Sequence, residues 1–201
     1  ERTSHGSQFM LHVGQQQQQV DLQLLGQHNV ANALATAAAA SALGLSLDQI
    51  VQGLALARPY QGRLVSHQLS HNRYVIDDTY NANLGSVKAA IDVLQQCHGQ
   101  RCFMLGDLGE LGQQELQLHQ RIGTQVAAAG IEQFYAFGEL AAAAVDSYLQ
   151  AGGNYGKICV NKQELSSCFE QLPKVDLSCL VKGSRSSQME QVVETLISDG
   201  I

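Results

Sequence analysis

Seven residues, Asp77-Asp78-Thr79-Tyr80-Asn81-Ala82-Asn83, place two carboxylates, a phenol and two carboxamides where an apolar run gives way to a helical period. Carboxylates accept hydrogen bonds, carboxamides donate and accept together, and a phenol adds a ring with a polar tip, so the stretch has the means to hold a polar small molecule. Its plainer use is local: Asp77 and Asn83 end a strand and cap a helix. A second stretch, Lys182-Gly183-Ser184-Arg185, sets two cations around a glycine and a hydroxyl ahead of another helical period. That combination suits an anion, because backbone can approach closely at glycine and a helix N-terminus favours negative charge. Its plainer use is a solvated surface, or pairing of Lys182 and Arg185 with Glu190. Gly106 to Gly112 (G-D-L-G-E-L-G) and Gly138-Glu139 are two further polar turns.

Two phosphate-binding look-alikes fail on spacing. G-G-N-Y-G-K-I, Gly152 to Ile158, has its glycines one residue too close for a P-loop, and Ile158 stands where a magnesium-binding hydroxyl belongs. It reads as a turn into a strand. In G-D-L-G-E-L-G the glycines are three apart, which is not the dinucleotide fingerprint.

The elements that must carry these turns follow from periodicity. Strands are expected at Gln8–Val13 and Val20–Leu25, bracketing a solvated run Gln15–Gln19. An alanine-rich helix from His28 closes at Gly44, and Ser46 with Gln49 forms a capping box for a short second helix ending before Arg58-Pro59. Beyond that Pro, strands are expected at Arg63–Leu69, Arg73–Ile76, Cys102–Leu105, Gln133–Phe137, Ile158–Val160 and Leu177–Val181. Helices are expected at Ser86–Gln96, Gln114–Ala129, Glu139–Gln150, Lys162–Gln171 and Ser187–Ile197. Such alternation specifies an α/β fold with a mostly parallel, Rossmann-like sheet covered by helices on both faces, and the first pair, joined at His71-Asn72, reads as an antiparallel hairpin. Ligands of such sheets bind beyond the carboxyl ends of the strands, where all four polar turns fall.

Composition narrows the classes. At 201 residues and 45% hydrophobic the chain can bury a core; its formal charge of −6 offers no field for a nucleic acid. Five cysteines without a C-x-x-C pair suit reduced core thiols in a cytosol and give no metal cluster, and no apolar run is long enough to span a bilayer. The chain opens on Glu1 without Met and is expected to start inside a longer protein.

H-N-V-A-N-A-L-A-T-A-A-A-A, Q-G-R-L, D-D-T-Y-N-A-N, L-G-D-L-G-E-L-G, the nearby His119 and K-G-S-R-S-S-Q-M-E stand in an order and spacing that resembles the Mur ligase family, from about Val20 onward. Within that family the motifs resemble the branch that joins D-alanyl-D-alanine to UDP-N-acetylmuramoyl-tripeptide. The resemblance implies that residues 1–57, a two-strand, two-helix remnant, end a central ATPase domain and that 58–201 form the C-terminal domain that closes on nucleotide. It implies that Asp78 accepts from ribose hydroxyls, as acidic residues do in dinucleotide folds, and that Tyr80, Asn81 and Asn83 line the nucleotide side. Asn29 and Asn32 go to adenine beside His28, with helix capping as the local alternative for His28 and Asn29. Arg63 goes to the γ-phosphate, or to a surface ion pair. Lys182, Ser184 and Arg185 go to the incoming dipeptide. Leu84 stands where the family usually has Pro, which leaves that turn less rigid.

The implied reaction uses ATP and Mg²⁺, with the P-loop and magnesium ligands in domains outside these residues, so these residues alone are expected to be an inactive, cytoplasmic half-site. A folylpolyglutamate synthetase-like ligase domain shares the architecture, and a non-enzymatic nucleotide-binding module is a further alternative.

Overall fold

A computed structural model describes residues 2–3, 6–174 and 176–200. The chain divides into two compact units, 1–60 and 61–201. The first contains strands β1 (Arg2–Thr3), β2 (Gly6–Val13) and β3 (Gln16–Leu22), then helices α1 (Gln27–Ala42) and α2 (Leu47–Ala55). Its sheet is antiparallel, in the order β1-β2-β3. It thus has one short strand more than the two expected, and β3 starts earlier than expected. The glutamine run is the cause: Gln16 to Gln19 pair with Val13 to Met10, because Gly14, at φ 60°, turns the chain tightly enough to bring polar side chains onto the ladder's wet face. Val20 and Leu22 face inward and pack with Leu11, Ala33, Ala37 and Ile50, and Gln18, next on the same face, is half-buried. Helix α2 begins at the expected capping box, Ser46 accepting from the Gln49 amide while the Gln49 side chain accepts from the Ser46 amide.

The second unit runs β4 (Val65–Gln68), β5 (Arg73–Asp78), α3 (Leu84–Leu94), β6 (Gln100–Gly106), α4 (Glu115–Ala128), β7 (Gln133–Phe137), α5 (Glu139–Gln150), β8 (Tyr155–Cys159), α6 (Lys162–Gln171), β9 (Leu177–Lys182) and α7 (Glu190–Gly200). The six strands stand in the order β4-β5-β9-β6-β7-β8, parallel except for the β4–β5 hairpin. The hairpin turns at His71 and Asn72, both in the left-handed region, as a polar pair allows.

Alternation along the strands separates two cores. Phe103 and Phe134 stack at 5.5 Å, with Tyr148 of α5 edge-on to Phe134. Their neighbours Cys102, Met104 and Tyr135 pack instead with Leu165 and Phe169 of α6 and Val192 and Leu196 of α7. Helices therefore cover both faces. Among the described residues no helix is long and apolar enough to cross a membrane.

Several boundaries differ from the periodic reading: β5 runs on through Asp77 and Asp78, so both carboxylates end the strand and do not open the turn, and α3 starts at Leu84, two residues earlier than expected. The first strand of the hairpin starts at Val65, not Arg63, because Leu64 takes a left-handed φ of 53°. Strand β8 lies earlier, over Tyr155–Cys159, so the P-loop look-alike is its entry turn together with its first four residues. Helix α7 starts at Glu190, since Arg185–Ser187 form a separate 3-10 turn that ends at left-handed Gln188.

Candidate functional site

The last strand of the chain lies in the middle of the sheet. Inserting β9 between β5 and β6 sets Lys182 level with both Asp78 and Leu105, so the turn after β9 is flanked by the turns after β5 and β6. Hydrogen bonds join them. The Asp107 carbonyl accepts from the Ser184 amide at 3.0 Å and from its hydroxyl at 2.6 Å, while the Asp107 carboxylate accepts from the Ala141 amide at 2.7 Å, in the first turn of α5. That carboxylate occupies the space a Cβ at residue 138 would need, and Gly138, at φ 119°, leaves it free. The four polar turns thus form one continuous rim, as expected for the carboxyl end of such a sheet.

The end of β5 and the turn after it are held from inside. Asp77 accepts from the Thr79 hydroxyl at 2.6 Å and from the Thr79 amide at 3.1 Å. Asp78 Oδ2 lies 2.6 Å from Lys182 Nζ, and its Oδ1 accepts from the Leu64 amide at 3.3 Å. Left-handed backbone at Leu64, costing about 1–2 kcal/mol for a side chain of this kind, aims that amide inward. Two residues earlier the Gly62 carbonyl accepts from the Tyr80 amide at 2.9 Å, in a close approach that a Cβ at 62 would block. Arg63, between these two anchors, lays its guanidinium 4.5 Å from the Tyr80 ring centroid. Burial pushes the Asp78 carboxyl above the usual carboxylate range, and the Lys182 ammonium acts against that rise.

Arg63, Tyr80, Asn81 and Asn83 are exposed at this rim, and Asp78 is nearly buried beside them. Asn83 serves a local purpose: its side chain accepts from the Ser86 amide and caps α3. Asn81 turns its side-chain oxygen onto the Ala82 amide. Ser184 and Arg185 lie on the turn after β9; Arg185 is exposed and 3.3 Å from Glu190, the pairing foreseen as its plainer use. Lys182 does not join them. Its side chain is 1% exposed and points into the sheet end toward Asp78, because a strand-end lysine beside a buried carboxylate is better paired than solvated.

In the first unit, Asn29 and Asn32 line one groove of about 390 Å³ with Thr36, Gln49 and apolar side chains of β3, α1 and α2. Neither His28 nor Asn29 caps the helix: Gly26 holds the cap position without a side-chain bond, and Asn29 donates back to the Leu25 carbonyl at 2.8 Å. His28 is exposed on the first turn.

Some site-building residues escaped the sequence reading. Leu64 carries no signal for left-handed backbone. Asp107 was visible inside G-D-L-G, but nothing local says that it bridges three strands. His119 is named with the motifs but given no role; it is fully buried, accepts from the Leu108 amide at 3.0 Å and donates from Nδ1 to the Glu115 carbonyl at 2.7 Å, so it fastens the loop after β6 to α4. Among the described residues no cluster of three or more His, Cys, Asp or Glu side chains is placed to hold a metal ion.

A family model described as Mur ligase, glutamate ligase domain, matches residues 62–196. The UDP-N-acetylmuramoyl-tripeptide–D-alanyl-D-alanine ligase of Escherichia coli (strain K12) is 38% identical over 98% of this chain and 43% of its own length. That of Haemophilus influenzae is 34% identical over 96% of the chain and 42% of its own length. A crystal structure of MurF from Acinetobacter baumannii superposes with a TM-score of 0.84 at 36% identity, over 96% of this chain and 43% of that one. The chain therefore spans less than half the length of these relatives. It belongs to the Mur ligase family.

Proposed function

We propose that this chain is the C-terminal part of an ATP-dependent amide ligase that adds D-alanyl-D-alanine to UDP-N-acetylmuramoyl-tripeptide in peptidoglycan precursor synthesis, in the cytoplasm. Residues 1–57 then end the central ATPase domain and 58–201 form the C-terminal domain. The observation that carries this reading is the insertion of β9, which sets the Ser184-Arg185 turn directly beside the Asp78 turn. A ligase that couples nucleotide to an incoming amine needs both in one place.

In this reading the tripeptide carboxylate attacks the γ-phosphorus and ADP leaves, giving an acyl phosphate. The dipeptide amine then attacks the acyl carbon and phosphate leaves. Asp78 fits a ribose: a carboxylate has about four acceptor positions, and Lys182 and Leu64 occupy two. Tyr80, Asn81 and Asn83 border the same place, Asn81 and Asn83 chiefly by shaping its turn. Asn29 and Asn32, beside His28, present carboxamides to the adenine edge. Arg63 supplies positive charge to the transferring phosphoryl group. Ser184 and Arg185 receive the dipeptide. Mg²⁺ is expected to accompany the ATP, with its ligands in the remainder of the enzyme.

The test is the full-length enzyme with UDP-N-acetylmuramoyl-tripeptide, ATP, Mg²⁺ and either D-alanyl-D-alanine or glutamate, read by mass spectrometry. The dipeptide adduct is expected; no adduct, or a glutamate adduct instead, overturns the reading. Arg185→Ala is expected to raise the dipeptide KM about tenfold, the loss of a charge-assisted hydrogen bond of ~1.5–3 kcal/mol.

A further inference from the structure

We propose that Lys182 is a positioning residue of the nucleotide-side turn, strapping residues 78–81 to the end of β9, and not a contact for the incoming dipeptide. The inference rests on the ligase reading for its kinetic consequence but on geometry for the strap itself.

An ammonium has three N–H donors. Lys182 Nζ has three oxygen atoms within hydrogen-bond distance, all from one turn: Asp78 Oδ2 at 2.6 Å, the Asn81 carbonyl at 3.1 Å and the Asp78 carbonyl at 3.4 Å. Its donors are therefore committed, and a side chain 1% exposed has no path to a free carboxylate. The Asp78 side chain, by contrast, is 12% exposed and keeps acceptor capacity on its open side. Strand register makes this asymmetry: Asp78 and Lys182 are direct neighbours on parallel β5 and β9, and the longer side chain folds back over the shorter. The cation thus fixes the carboxylate's direction and closes the turn behind it through the Asn81 carbonyl. Beyond Gly183 the chain changes allegiance: the Ser184 amide and hydroxyl go to Asp107, and the Arg185 guanidinium reaches the surface. K-G-S-R is thus two devices in four residues, a strap facing one turn and a substrate-facing cation facing solvent.

Removing one member of a buried pair strands the other, so the strap and the carboxylate should act as a unit. In the full-length ligase, Lys182→Met is expected to raise the ATP KM tenfold or more and to leave the dipeptide KM within about twofold. Asp78→Asn should do the same, and the double variant should be no worse than the worse single. A rise in dipeptide KM with ATP KM unchanged, or effects of the two substitutions that multiply, overturns the proposal. The strap has its own readout in this 201-residue chain, by amide hydrogen exchange. Lys182→Met should speed exchange at Tyr80 and Ala82 and leave Ser184 and Ser187 protected; equal loss at both turns, or none, overturns it. If that variant does not fold, Asp78→Asn, which keeps the shape and removes the charge, carries the same comparison. Wild-type enzyme without ligase turnover would defeat the ligase reading while leaving the exchange result to judge the strap.

Discussion

Arg63 shows how little of a side chain's role lies in the side chain. A lone arginine at a strand start is ordinary, yet here the residues on either side are pinned, Gly62 to the Tyr80 amide and Leu64 to Asp78, and the guanidinium rests on the Tyr80 ring. A cation held over an exposed ring is worth about 0.5–1 kcal/mol, enough to bias one rotamer and too little to prevent movement toward a phosphate. On the proposed function, Tyr80→Phe should keep kcat within about twofold, because the ring face remains. Tyr80→Ser should lower kcat a few-fold by freeing the arginine. Arg63→Ala should lower it about a hundredfold or more, as removal of a charge-stabilising group does, with a smaller change in ATP KM. Steady-state rates at saturating substrates check the order; a Tyr80→Phe defect as large as that of Tyr80→Ser would assign the phenol, not the ring, to the work.

At the level of elements, periodicity reports the type of an element and its polar ends, and it located the strands and helices of the second unit to within a few residues. It is blind to which strands are neighbours, because pairing across a sheet is a long-range choice. The position of β9 between β5 and β6 was therefore hidden, and with it the Asp78–Lys182 pair. The same blindness applies to the cysteines, which read as core thiols but not as a group. Cys102, Cys159, Cys168 and Cys179, from four elements, lie buried on the α6–α7 face, with the Cys159 and Cys168 sulfurs 3.9 Å apart. Burial, with Cys168 close by, pushes the Cys159 thiol up to about 12, and the Cys102 thiol rises as well. The unfolded chain releases these protons near the ordinary thiol value of 9.0 while the folded chain holds them. Stability from this source is thus complete below pH 9 and falls as pH rises toward 12, by up to ~1.4 kcal/mol per pH unit for each thiol. Urea unfolding between pH 8 and 11 should show this decline. Cys159→Ala should start less stable at pH 8 and decline less steeply; parallel curves would remove Cys159 from the account.

On the scale of the whole chain, the two units build their cores from separate stretches of sequence. Leu11, Val20, Leu22, Ile50 and Leu54 anchor the first unit, and the second buries both faces of a six-stranded sheet within 61–201. Between them, from Leu56 to Tyr60, the chain has no regular structure, and Leu56 and Tyr60 are 73% and 66% exposed. Arg58 donates to the carbonyls of Ala55 and Ala57 within the same stretch. A protease needs locally opened chain, and segments with few buried contacts open at the lowest free-energy cost. Chymotrypsin at low ratio should therefore cut first after Leu56 or Tyr60, leaving a product that starts near residue 57 or 61 and keeps the far-ultraviolet signature of an α/β fold. The second unit should then unfold as one cooperative transition, since its central strand β9 is supplied late in sequence and ties β5 to β6. First cleavage at another exposed aromatic, Tyr155 on β8 for instance, would show that the edge of the sheet opens more readily than the junction and would move the domain boundary away from residue 58.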